Sequence, residues 1–140
     1  MSKRKQLFVL VVSSDRIIAA TVATVAQGGG YLAATTASAD TAARIAERMV
    51  IDAAVLDLPA NHAINLDTAV AVKSSYPDCR IVVLCSPAQR DEVLLQAEEC
   101  GLLCEYVVRP LSRAELLAKL AAAPGVPSKP QPWAGQLQAA

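Results

Sequence analysis

A chain of 140 residues with 54% apolar content is long enough to fill one hydrophobic core, so neither disulfides nor a structural metal is needed for folding. Its 13 basic and 13 acidic residues balance, and the short basic start Lys3-Arg4-Lys5 makes no patch, so nucleic acid is not an expected partner. No apolar run reaches the roughly 18 residues of a membrane span. Leu7 to Val12 lacks the length and cleavage pattern of a signal peptide, so a soluble cytoplasmic protein is expected.

Taken in chain order, Leu7-Phe8-Val9-Leu10-Val11-Val12 is a continuous apolar run, the pattern of a strand buried on both faces of a parallel sheet. Ser13, Ser14 or Asp15 then caps a helix carried by Ile17, Ile18, Thr21, Val22 and Val25, which Gly28-Gly29-Gly30 stops. The three glycines follow a helix and precede a strand, so they read as a turn and not as a phosphate loop. Tyr31 to Thr36 is the second strand, and Ser38 or Asp40 caps a helix through Arg44, Ile45, Arg48 and Met49. The alternation continues with a strand at Ala53 to Asp57, a helix near Leu66 to Ser75, and a strand at Arg80 to Cys85. A helix near Ala88 to Cys100, a strand at Leu103 to Val108 and a helix near Ser112 to Ala123 complete it.

Five strand-helix units with right-handed crossovers predict an α/β domain over residues 1–123: a flavodoxin-like parallel sheet in the order 2-1-3-4-5, with helices on both faces. Beyond Ala123, four prolines among residues 124–132 break regular helix and predict an extended tail or linker over 124–140, which carries Trp133. Cys79, Cys85, Cys100 and Cys104 contain no CxxC pair, and they read as reduced thiols acting mainly as small hydrophobes.

In such a sheet the functional groups gather where strands end. Here those residues are Ser13, Ser14 and Asp15, then Asp57, then Cys85 and Ser86, then Arg109 and Pro110. A carboxylate facing a cation and a small hydroxyl or thiol has the composition to accept a phosphoryl group. It has equally the composition of an Asp57–Arg109 salt bridge in which nothing reacts, and the pattern alone leaves both readings open.

Val55-Leu56-Asp57-Leu58, Ile81-Val82-Val83-Leu84-Cys85-Ser86 and Tyr106-Val107-Val108-Arg109-Pro110 follow one another in the order and spacing of a known family. Over roughly residues 6 to 122 the chain resembles the receiver domains of two-component response regulators, in the manner of the single-domain chemotaxis regulators. The resemblance implies that Asp57 is the phosphoacceptor and Tyr106 the switch aromatic. Cys85 stands where a Thr or Ser contacts the phosphoryl group, with Ser86 beside it. Arg109 stands where the family has lysine, before a proline that is often cis-bonded there.

The sequence also departs from the family. A pair of acids normally follows the first strand to hold Mg²⁺, and this chain has Ser13 and Ser14 there, with Asp15 next in line. Mg²⁺ favours carboxylate and water oxygens, so Asp57 and Asp15 are the acids left to hold it, and no other cofactor is expected. Pro59 falls earlier than the proline the family commonly places after its phosphoacceptor, and His62, with no partner for metal or proton work, reads as a surface loop residue.

The residues together lead to the expectation of an atypical receiver, not an enzyme, with weak or absent Mg²⁺-dependent phosphorylation and Asp57 paired to Arg109. Its partners would be signalling proteins, a histidine kinase or a downstream effector domain, met through the surface around the fourth helix, fifth strand and fifth helix. Tyr106, Leu94, Leu95 and Leu102 lie there, on that face or in the core beneath it, and a homodimer stays open. The alternative within the class is a working phosphoacceptor using Asp57 and Asp15. Outside it stand a thiol-based redox sensor and a flavin carrier, the latter disfavoured because Ser13-Ser14-Asp15-Arg16 is short and Asp15 would repel a phosphate. An aspartate-nucleophile phosphatase would need an acid where Pro59 stands.

Overall fold

Every predicted strand-helix unit forms. The computed structural model describes residues 6–59 and 64–121. His62, the tail at 124–140 and the domain boundary before it lie outside the described residues.

Strands β1 (Phe8–Val12), β2 (Leu32–Thr36), β3 (Ala53–Asp57), β4 (Arg80–Cys85) and β5 (Glu105–Val108) pair in parallel in the order β2-β1-β3-β4-β5. The crossovers are α1 (Arg16–Gly28), α2 (Ala39–Arg48), α3 (Asp67–Ser75) and α4 (Arg90–Cys100), and α5 (Arg113–Ala121) follows the last strand. This is the flavodoxin-like sheet expected from the alternation. Among the described residues no helix is long and apolar enough to cross a membrane.

The continuous apolar runs exist because each central strand is covered on both faces. Val9, Val11, Val55, Val82 and Val107 pack with Val22 of α1 and with Leu116 and Leu120 of α5. The alternate positions Leu10, Leu56, Ile81 and Val83 pack with Ala42 of α2, Ala69 of α3, and Val93 and Ala97 of α4. All of these side chains are buried, each worth about 1.5–3 kcal/mol for the larger ones, so the sheet ends are held on a rigid floor.

The differences from the sequence pattern are local. Pairing of β5 begins only at Val82↔Glu105, so Leu103 and Cys104 precede the strand, and Leu103 is left exposed. Pro87 opens a single 3₁₀ turn, Pro87–Gln89, so α4 starts after the predicted Ala88. The left-handed Gly101 (φ 70°) caps α4 and returns the chain so that the Leu102 amide bonds to the Ala97 carbonyl at 2.8 Å. Leu102 is thereby buried in the core and leaves the surface to Leu94 and Leu95, which are exposed.

Two polar devices tie the elements together away from the strand ends. The Tyr76 hydroxyl lies against the Ala46 and Met49 carbonyls at the end of α2, the latter at 2.9 Å, so the segment after α3 closes the last turn of its neighbour. Glu105 accepts from Arg80 Nη1 at 3.2 Å and from Lys119 Nζ at 3.0 Å, joining the starts of β4 and β5 to α5, and all three side chains are largely buried.

Candidate functional site

β1, β3 and β5 deliver Ser13, Asp57 and Arg109 to the same end of the sheet. Parallel register does this: Val12 pairs with Leu56, so the residues that follow lie side by side, and β4 carries the alignment across to β5. The backbone fixes the join further, with Leu58 N bonded to the Leu84 carbonyl at 2.9 Å and Arg109 N to the Cys85 carbonyl at 2.8 Å. The Arg109–Pro110 peptide is cis.

Asp57 is the centre of the arrangement, and its side chain is only 4% exposed. The Ser13 hydroxyl donates to Oδ2 at 2.8 Å, while Arg109 Nη2 is paired with Oδ1 and also donates to the Leu58 carbonyl. Both carboxylate oxygens are therefore engaged by donors that follow β1 and β5. Ser13, itself buried, accepts from the Asp15 amide at 3.0 Å, which fixes its hydroxyl at the head of α1. A crevice of about 580 Å³ opens over these groups, lined by Ser14, Asp15, Ile18, Asp57, Pro59 and Arg109.

No family model matches the sequence, and no curated protein matches it. Solved structures do match. The chain superposes on the chemotaxis response regulator CheY4 of Vibrio cholerae with a TM-score of 0.70 at 22% identity, covering 83% of this chain and 97% of that one. A receiver domain protein from Methanospirillum hungatei gives 0.70 at 16% identity, over 83% and 91%. A Burkholderia pseudomallei response regulator with a phosphorylated aspartic acid, calcium ion and citrate gives 0.68 at 24%, over 96% of this chain and 72% of that one.

The chain has the receiver-domain fold. Within that fold the residues present do not suit Mg²⁺. Asp15 spends its carboxylate on α1, where Oδ1 accepts from Ile17 N at 2.9 Å and Ile18 N at 3.2 Å as the N-cap. Asp57 faces a guanidinium, and Ser13 offers it a proton where a metal ligand would offer a lone pair. Among the described residues no group of three His, Cys, Asp or Glu side chains converges. A hard divalent cation needs several oxygen donors free to turn towards it, and here the Arg109 guanidinium stands on Asp57.

Other site residues of this receiver fold lie apart from the Ser13–Asp57–Arg109 contact. Ser14 and Asp15 are exposed on the crevice rim. Cys85 is fully buried in the cluster under α3 and α4, and it serves the site through its carbonyl. Ser86 is half-buried, with its amide donating to Gln89 Oε1 at 2.9 Å. Tyr106 is half-buried against the same cluster, and the Lys119 ammonium stands 5.8 Å from its ring centroid.

Gln89 does not stand out in the sequence, although it helps to shape the site. Its Nε2 donates to the Pro59 carbonyl at 2.9 Å while its Oε1 takes the Ser86 amide, so it laces the β3 and β4 loops together. The Ser86-x-x-Gln89 spacing, a capping-box pattern, is the signal that could have revealed it.

The thiols are set up for packing. Burial pushes Cys79 up to about 12 and Cys104 up to about 11, and it raises Cys85 as well, against the opposing pull of Arg109 and Arg90. An acid whose value is raised on folding is held neutral by the fold. The stability from Cys79 burial is thus full below the ordinary thiol value of 9.0 and is lost as pH climbs from there towards about 12. In disulfide-exchange labelling at about pH 8, the exposed Cys100 is expected to react at once, the half-buried Cys104 more slowly, and Cys79 and Cys85 only on unfolding. Rapid reaction of Cys85 would revive a redox role.

Proposed function

We propose that this chain is an atypical receiver module of a phosphorelay-type signalling system, working by protein contact, in which Asp57 serves chiefly as one half of a built-in ion pair. The observation that carries this reading is the double engagement of Asp57 by Ser13 and Arg109. To accept a phosphoryl group, a carboxylate oxygen must attack phosphorus in line while the bond to the leaving group breaks. Here that oxygen must first leave a hydrogen bond or a guanidinium, and among the described residues no cluster of carboxylates stands ready to hold a divalent cation against the repulsion between the incoming phosphate and Asp57. Arg109 supplies a fixed positive charge in the pocket, which neutralises Asp57 and holds it in one resting arrangement.

The face offered to partners, a histidine kinase or an effector domain, is that of α4, β5 and α5. Catalytic turnover forms no part of the reading. Incubation with a small phosphodonor and Mg²⁺, followed by intact-mass measurement, is expected to show little or no phosphoryl adduct. A near-complete adduct that vanishes in Asp57→Asn would establish the alternative, a working phosphoacceptor.

A further inference from the structure

The exposed face of α4 has a composition that core packing does not explain. Leu94 is 41% exposed and Leu95 54%, on a helix whose buried contacts are made by Val93 and Ala97. Leu103, also 54% exposed, follows three residues after the helix ends. A large aliphatic side chain left partly in water forgoes part of its burial, and adjacent exposed leucines on one element mark an interaction surface more than chance scatter.

Carboxylates fence these leucines. Asp91 lies three residues before Leu94 and Glu98 four after it; Glu92 lies three before Leu95 and Glu99 four after it, which puts an acid one turn above and below each leucine. The helix carries four carboxylates against one guanidinium, Arg90, which is spent on Asp91 at 3.6 Å. Among the described residues neither Glu98 nor Glu99 has an ion-pair partner.

We infer that the α4 face is a docking surface for a basic amphipathic helix of a partner protein, whose apolar side chains cover Leu94 and Leu95 while its Lys or Arg residues meet Glu92, Glu98 and Glu99. This rests on the proposal that the chain works by protein contact. Charge complementarity selects the occupant: an apolar segment without cations would leave four carboxylates facing it, and two copies of this chain meeting through α4 would oppose acid to acid. The acids stand three residues before and four after the two adjacent leucines, so a partner helix laid along α4 would set apolar side chains on Leu94 and Leu95 and cations on the flanking turns.

The test uses the full chain with a synthetic Leu/Lys amphipathic peptide of about 14 residues and its Leu/Glu counterpart, read by NMR shift mapping and titration. The Leu/Lys peptide is expected to bind on α4 and to weaken roughly tenfold or more between about 50 and 300 mM salt. Leu94→Ser/Leu95→Ser is expected to abolish binding, and Glu98→Lys/Glu99→Lys to transfer preference to the Leu/Glu peptide; all four positions are exposed, so folding is kept. Binding unaltered in both variants, shifts confined to other helices, or a dimer of the protein that dissolves in Leu94→Ser/Leu95→Ser would each overturn the inference. Repeating the titration with phosphodonor and Mg²⁺ separates the two readings. Binding on α4 that requires phosphorylation would keep this surface and overturn the phosphorylation-independent function, whereas unchanged binding supports both.

Discussion

Arg109→Ala is expected to lower the unfolding free energy by about 3 kcal/mol, the low end of the range for breaking a buried ion pair. The low end applies because the Arg109 side chain is 25% exposed while that of Asp57 is 4% exposed, so water relieves the cation more readily than the anion. The loss has two parts: a carboxylate stranded under the crevice, and a Leu58 carbonyl deprived of its donor. Asp57→Asn should cost less, since the amide oxygen still accepts from Ser13 and Arg109 can turn towards solvent. Urea titrations with unchanged slope would measure both variants. An Arg109→Ala effect below about 0.5 kcal/mol, the scale of an ordinary surface substitution, would mean that the pair is not an anchor of the strand ends.

Ser13→Asp combined with Arg109→Lys is expected to give the chain a stronger response to Mg²⁺ than the parent's. The first change replaces a proton donor 2.8 Å from Asp57 with a second carboxylate, and two facing carboxylates repel until a divalent cation joins them. The second exchanges a planar fork for an ammonium on a flexible stem, which can release Asp57 and follow a phosphoryl oxygen. The double variant should therefore melt lower than the parent without metal, recover in millimolar Mg²⁺, and take up phosphate from a small donor about tenfold faster or more, equivalent to about 1.4 kcal/mol of barrier. Thermal melts with and without Mg²⁺ report the metal site independently of phosphorylation. Identical melts in the two conditions would show that these two positions do not decide Mg²⁺ binding.

The fold was legible because its signals are additive along the chain. Runs such as Val9 to Val12 and Ile81 to Leu84 leave parallel-sheet burial as their natural explanation, and capping residues with turn glycines punctuate the helices. The ends of elements were less legible, since they depend on neighbours: Leu103 is as apolar as any strand residue, but β5 begins to pair with β4 only at Glu105. In the site, strand-end arithmetic brought Asp57 and Arg109 together, because parallel register is a one-dimensional rule. The hydroxyl contact from Ser13 was not legible, since the rotamer that points Oγ at Asp57 depends on the Asp15 amide holding it. The same limit applies to Cys85, which the resemblance placed in a phosphoryl pocket. Successive side chains of a strand point to opposite faces, and the side of β4 on which Cys85 falls is the packed interior under α3 and α4.

The charged knot of Arg80, Glu105 and Lys119 has a consequence for how the chain survives in a crowded solution. β5 is an outer strand of only four residues, with one side of its backbone unpaired by the sheet. An open strand edge is a template on which another unfinished chain can add a strand, and an acid at its first residue with a lysine drawn in from α5 makes such an addition costly, because the newcomer would have to displace or bury those charges. The three residues thus act as a guard rail on the sheet margin. Removing the charge of Glu105 should lower both the stability of the fold and the clarity of concentrated protein, since Arg80 and Lys119 would lose the carboxylate they share.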